Sequence, residues 1–156
     1  MKSQTDMMKA LGGTPVAMAM GDVYTALQTG IIDGTENNET ALTTGMHGEI
    51  CKFYSVDQHT MIPDVLVIAT DTWEKLSEED RQFLIDAAGE STKNHIGKWE
   101  QAEAEAVETA ANDMGVTFVE DVDKDAFRAA TADMIESYKA QYPKVGDVLD
   151  IIHSVE

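Results

Sequence analysis

The sequence predicts an α/β fold rich in helix, with a short sheet and one very long helix. Three observations predict it. Helical composition runs unbroken from a capping signal at Ser77 to Gly115. A continuously apolar run, V-L-V-I-A at 65–69, is bounded by Pro63-Asp64 and Thr70-Asp71 and reads as a buried strand. Composition supplies the third. The chain has 156 residues, enough for one domain with a core, and is 43% hydrophobic but only 6% aromatic, with 9 Met. Such a core is built from small and flexible side chains.

Met7, Met8 and Leu11 share a helical face that the Gly12-Gly13 pair ends. Residues 14–19 are a short extended candidate. Val23, Ala26 and Leu27 mark an amphipathic helix, with Asp22 in its first turn and Gly30 at the C′ position. Asp33-Gly34 signals a turn. Leu42, Met46, Ile50 and Phe53 recur at steps of four, four and three, which predicts a helix weakened by Gly45 and Gly48.

Ser77 and Asp80 have the spacing of a capping box. The helix they open places Leu84, Ala88, His95, Trp99, Ala106, Ala110 and Met114 near one face and Glu100, Glu103, Glu105 and Glu108 on the opposite one. A straight rod of that length exceeds a small domain, so the helix is expected to bend, break near Gly89 or project. Residues 117–119 form a brief strand. Asp123 caps a helix in which Phe127, Ala130, Met134 and Tyr138 share a face, and Pro143 stops it. Val145, Val148, Leu149 and Ile152 predict a last short helix.

The net charge of −18 argues against nucleic acid and anionic membranes as partners, since both select clusters of Lys and Arg. Cys51 is the single cysteine, so no intrachain disulfide forms. No apolar run approaches the roughly 18 residues of a membrane span, and residues 1–10 lack the apolar core and cleavage site of a signal peptide. Two expectations stay open: the chain is cytoplasmic if expressed as given, or the beginning of an exported precursor is missing.

Catalytic and metal signatures are missing. There is no glycine-rich phosphate loop and no nucleophile elbow. His47, His59, His95 and His153 are scattered without zinc-ligand spacing, so no metal and no cofactor are expected. Cys51 reads as a small buried hydrophobe. A hydrolase assembled from dispersed Ser, His and acidic residues is the weakest reading. One stretch, Thr35-Glu36-Asn37-Asn38, follows a tight turn between apolar elements and reads either as ordinary loop chemistry or as a ligand site, since its amides and carboxylate can donate to and accept from a polar solute.

Read together, several segments carry a resemblance. Leu11-Gly12-Gly13-Thr14-Pro15, then Met18-Ala19-Met20-Gly21-Asp22-Val23-Tyr24-Thr25-Ala26-Leu27-Gln28-Thr29-Gly30, then Ile32-Asp33-Gly34-Thr35-Glu36-Asn37 resemble the central signature of the dicarboxylate-type (DctP) binding proteins of TRAP, or tripartite ATP-independent periplasmic, transporters. Lys52-Phe53-Tyr54-Ser55, His59, Pro63-Asp64, Leu66-Val67-Ile68, Trp73 and Leu76 follow in the same order.

The resemblance implies that residues 1–156 are one fragment, the C-terminal half of a two-lobed periplasmic α/β binding protein. Such proteins hold a small organic acid for a membrane permease and catalyse nothing. It further implies ligand contacts by Met20, Glu36, Asn37 and His59. The family's signature arginine falls upstream of the residue matching Met1, so weak capture of dicarboxylates by this chain alone is expected. Apolar faces around Leu84, Trp99, Phe127 and Tyr138, covered by the other lobe in relatives, imply a homodimer. A self-assembling remnant without a ligand is the alternative.

Overall fold

The computed structural model describes residues 2–154; the side chain of His153, one of the four scattered histidines, lies outside the described set. The elements in order are α1 (Lys2–Ala10), α2 (Met20–Gln28), α3 (Thr40–Thr44), a 3-10 turn (His47–Glu49), β1 (Phe53–Ser55), α4 (Thr70–Trp73), α5 (Glu78–Asn112), β2 (Thr117–Val119), α6 (Lys124–Gln141) and α7 (Pro143–His153). The predicted class holds: helix dominates, β1 and β2 form a short parallel sheet, and α5 is the long helix. The Thr117 N–H donates to Lys52 O at 2.8 Å, and the Val56 N–H donates to Val119 O at 2.9 Å.

The chain divides into two compact units. The first comprises the described residues of 1–33, 55–59 and 118–156; the second comprises 34–54 and 60–117. In the first, α6 packs against α1 and α7. The Tyr138 hydroxyl donates to Asp6 Oδ2 at 2.9 Å, and Lys2 Nζ reaches the same oxygen at 2.7 Å. Helix α2 buries Val23, Ala26 and Leu27. Its end is a Schellman motif: the Gly30 N–H donates to Leu27 O, the Ile31 N–H donates to Ala26 O, and Gly30 takes φ +70°. The sequence places this glycine correctly.

In the second unit α3 lies on the C-terminal part of α5, where Ala41, Leu42, Ala106 and Ala110 are buried. Alanines on both helices let the backbones approach closely. Gly48 is required here for the same reason. A Cβ at that position would stand 2.9 Å from Met114 Sδ and 3.2 Å from Leu42 O. Helix α5 opens as expected: the Asp80 N–H donates to Ser77 Oγ at 3.1 Å. The reciprocal half of the box differs. The Asp80 carboxylate accepts from the Ser77 hydroxyl at 2.7 Å, because Asp is one methylene shorter than Glu.

Three expectations are corrected. The span 42–53 is not one helix: α3 stops at Thr44, Met46 takes φ 59°, and Phe53 enters β1. The helix ends at the Gly45 cap and the left-handed Met46, and Gly48 lies inside the 3-10 turn that follows. The run 65–69 is neither a strand nor buried; Val67 is 80% exposed. Helix α5 does not break at Gly89; it continues for 35 residues. Residues 14–19 have no regular structure, and Phe127 and Tyr138 are half-buried rather than bare, because α6 has neighbours on two sides.

Candidate functional site

Glu36 and Asn37 lie in the loop between α2 and α3, and both are half-buried. The loop is held at several points. Asn37 Oδ1 accepts from the Asn38 N–H at 2.9 Å, and Asn38 Oδ1 accepts from the Thr40 hydroxyl at 2.6 Å. These local amide bonds are the reason Asn and Thr favour such turns over helix interiors. Tyr54 in β1 donates its hydroxyl to the Asn37 carbonyl at 2.9 Å. A strand side chain thus fixes the backbone of the Glu36-Asn37 pair. The aromatic–loop link joins residues too far apart in sequence for any spacing rule to reveal.

His59 lies in the segment after β1, in the first unit, and is partly buried. Its Nδ1 is 2.6 Å from Asp57 Oδ1, and its backbone N–H donates to the same oxygen at 3.3 Å. Gln58, between them, takes φ 51°, and its side-chain oxygen accepts from Lys124 Nζ at 2.6 Å. One carboxylate therefore sets both the turn and the imidazole orientation. Sequence reasoning missed Asp57, although an acid two residues before a candidate histidine is a readable signal for an Asx-type turn. His59 Nε2 is shielded from solvent.

Met20 opens α2 in the first unit and is exposed, while Glu36 and Asn37 belong to the second unit. The four expected ligand residues thus come from both units.

Cations for an acid ligand are scarce. The chain has two arginines, Arg81 and Arg128. Arg81 donates to Trp73 O at 2.9 Å and Glu74 O at 3.0 Å while lying over the Trp73 ring. Arg128 pairs with Asp125 at 2.7 Å. Lys52 Nζ donates to Gly48 O and Met114 O, which satisfies carbonyls beside the end of α5. A groove of about 180 Å³ in the first unit is lined by Ser3, Met134, Ile135, Tyr138, Val145 and Leu149. That lining holds no cation, so it offers an organic acid nothing to pair with.

His47 is the buried polar residue of the second unit, 2% exposed, and burial pushes its imidazole below the usual 6.5. Cys51 is half-buried instead of buried, and partial burial raises its thiol above the usual 9.0. Among the described residues no group of three or more His, Cys, Asp or Glu is placed to hold a metal ion.

Residues 1–141 match the family described as bacterial extracellular solute-binding protein, family 7. A solute-binding protein of Chromohalobacter salexigens is 33% identical over 150 residues, which is 96% of this chain and 44% of that protein. A TRAP periplasmic solute-binding protein from Chromohalobacter salexigens with bound D-glucuronate superposes with TM-score 0.93 at 31% identity, over 100% of this chain and 52% of its own. One from Roseobacter denitrificans with bound β-D-glucuronate gives TM-score 0.91 at 35% identity, over 97% and 50%. The chain spans about half the length of the relatives it matches. Sequence signature, helix order and superposition agree, and the chain belongs to the DctP family of TRAP solute-binding proteins, bacterial extracellular solute-binding protein family 7.

Proposed function

We propose that this chain is the part of a periplasmic TRAP solute-binding protein that contributes Met20, Glu36, Asn37 and His59 to the capture of a sugar acid, for delivery to a membrane permease. The family consists of non-enzymatic transport components, so the task is binding. The observation that carries the reading is the match of the whole chain to half of a glucuronate-bound relative.

A uronate suits this chain better than the dicarboxylate its signature first suggests. Glu36 adds a negative charge beside the ligand, and the chain carries −18 overall. A second ligand carboxylate meets repulsion there, whereas a sugar hydroxyl donates to the Glu36 carboxylate. Asn37 supplies amide donors and an acceptor from a loop already fixed by Tyr54. The single carboxylate of a uronate still needs a cation, and Arg81 and Arg128 are engaged elsewhere. Affinity of the chain alone is therefore weak.

Amide chemical shifts test the reading because they register weak binding. D-glucuronate at millimolar concentration is expected to move the resonances of 35–38, with succinate at the same concentration moving them less. Glu36→Gln and Asn37→Ala are expected to reduce the uronate response. Equal responses to both acids, or shifts elsewhere alone, would refute it. The homodimer expected from sequence is the second part of the reading, and light scattering in physiological salt reads it directly.

A further inference from the structure

We propose that Tyr54 is a positioning residue of the ligand site: its hydroxyl holds the Asn37 backbone in the place from which Asn37 meets the sugar acid, and so sets affinity without touching the ligand. The proposal rests on the reading of Asn37 as a ligand contact. Residues 34–38 have no regular secondary structure. A segment without a helix or strand ladder depends on side-chain bonds for its shape. Two of these are local: the Asn38 N–H donates to Asn37 Oδ1 at 2.9 Å, and the Thr40 hydroxyl donates to Asn38 Oδ1 at 2.6 Å. Local bonds curl the loop but travel with it, so they are satisfied wherever the loop stands. The Tyr54 hydroxyl reaches the Asn37 carbonyl at 2.9 Å across 17 residues of sequence. A bond from a different element selects one place for the loop.

The anchor itself is fixed. Lys52, two residues before Tyr54, accepts from the Thr117 N–H at its carbonyl. Its Nζ donates to Gly48 O at 2.9 Å and to Met114 O at 2.7 Å. The chain entering β1 is thereby tied to the 3-10 turn and to the residues that follow α5. Tyr54 is half-buried between the exposed Phe53 and Ser55. A tyrosine ring turns about two angles, so holding its hydroxyl in place costs little entropy. These residues all belong to the second unit.

The size of the effect is bounded. A neutral hydrogen bond biases the loop by about five-fold, the equivalent of about 1 kcal/mol. Apparent affinity scales with the fraction of molecules whose loop is already placed. Loop opening and ligand dissociation should therefore shift by the same factor when the hydroxyl is lost.

Two hydroxyl deletions in the whole chain test this. Tyr54→Phe removes the bond to Asn37, and Tyr138→Phe removes the bond to Asp6 in the first unit. Both keep the ring. Hydrogen exchange of the Asn38 amide, which donates to Asn37 Oδ1, reads the loop without ligand. Tyr54→Phe is expected to speed that exchange roughly five-fold, and Tyr138→Phe to leave it unchanged. Titration with D-glucuronate, followed at the amides of 35–38, is expected to give a Kd raised by the same factor in Tyr54→Phe alone. An Asn38 amide whose exchange is unchanged in Tyr54→Phe, or raised equally in Tyr138→Phe, overturns the proposal. So does faster exchange with an unchanged Kd, which would make Tyr54 a support of the loop and not of the site. A wild-type chain with no response to D-glucuronate at 35–38 refutes the ligand reading instead, and the exchange comparison still decides whether Tyr54 holds the loop.

Discussion

At the scale of single residues, the loop 35–38 separates binding from stability. Asn37 spends its side-chain oxygen on the neighbouring Asn38 N–H, a bond that water can replace at a half-exposed site. Asn37→Ala is expected to lower stability by less than about 1 kcal/mol while reducing the uronate response. Tyr54→Phe removes the hydroxyl that holds the Asn37 carbonyl and is expected to cost about 1 kcal/mol, read by urea denaturation. If Asn37→Ala is the more destabilising of the two, the side chain is a structural turn residue. His47 gives a pH signature. Its folded imidazole titrates below 6.5, so as pH falls beneath 6.5 the unfolded chain takes the proton first. Stability present at pH 7 is lost progressively as pH drops toward the lowered folded value, and His47→Gln is expected to flatten that slope. Met20, Glu36, Asn37 and His59 are candidates on the resemblance alone, since Met20, Glu36 and Asn37 stand within the quoted signature segments and His59 follows them in order. The roles of Tyr54 and Asp57, which hold two of them in place, were not legible, since they depend on a strand and a left-handed turn at Gln58.

At the scale of elements, caps and stops were the best-read features. Ser77, Asp123, Gly30 and Gly12 act locally, and local chemistry is visible in sequence. The false helix over 42–53 shows the limit. Of its four spaced apolar residues Leu42 is buried while Met46 and Phe53 are 46% and 75% exposed, so the spacing reflects no common buried face. What packs here is Leu42 together with Gly48, pressed beside Met114. Gly48→Ala is therefore expected to destabilise by roughly 1–3 kcal/mol through overpacking, with Gly30→Ala near about 1 kcal/mol through backbone strain alone. Thermal unfolding of the two variants separates these causes, because only the first should disturb the α3–α5 contact. The Lys2–Asp6–Tyr138 cluster joins α1 to α6. Hydrogen bonds from Lys2 and then Tyr138 hold the Asp6 carboxyl below its usual 3.8. Its contribution is present above 3.8 and is lost as pH falls through the lower folded value. Tyr138→Phe is expected to reduce the melting temperature and to weaken that acid dependence.

At the scale of the whole molecule, the strand reading of 65–69 failed for an instructive reason. Sequence reports what a segment is suited to, and this one is suited to being covered on both faces; the chain holds no layer that does so among its described residues. The chain is also expected to be indifferent to chelators, with no shift in melting temperature when divalent ions are removed. A clear drop would mean that a metal site has been overlooked.

The parallel pairing of β1 with β2 has a kinetic consequence. The strands are joined through α4 and the whole of α5, so closing the sheet brings Lys52 and Thr117 together across nearly half the sequence. Such a non-local closure is slow unless the intervening chain is already stiff. A helix of 35 residues, about 52 Å when straight, shortens the search by replacing most of that flexible loop with a rod. The expected order is α5 first and the pairing of β2 with β1 after it. Substitutions that weaken helix propensity at an exposed position of α5, such as Ala102→Gly, should slow refolding more than they accelerate unfolding.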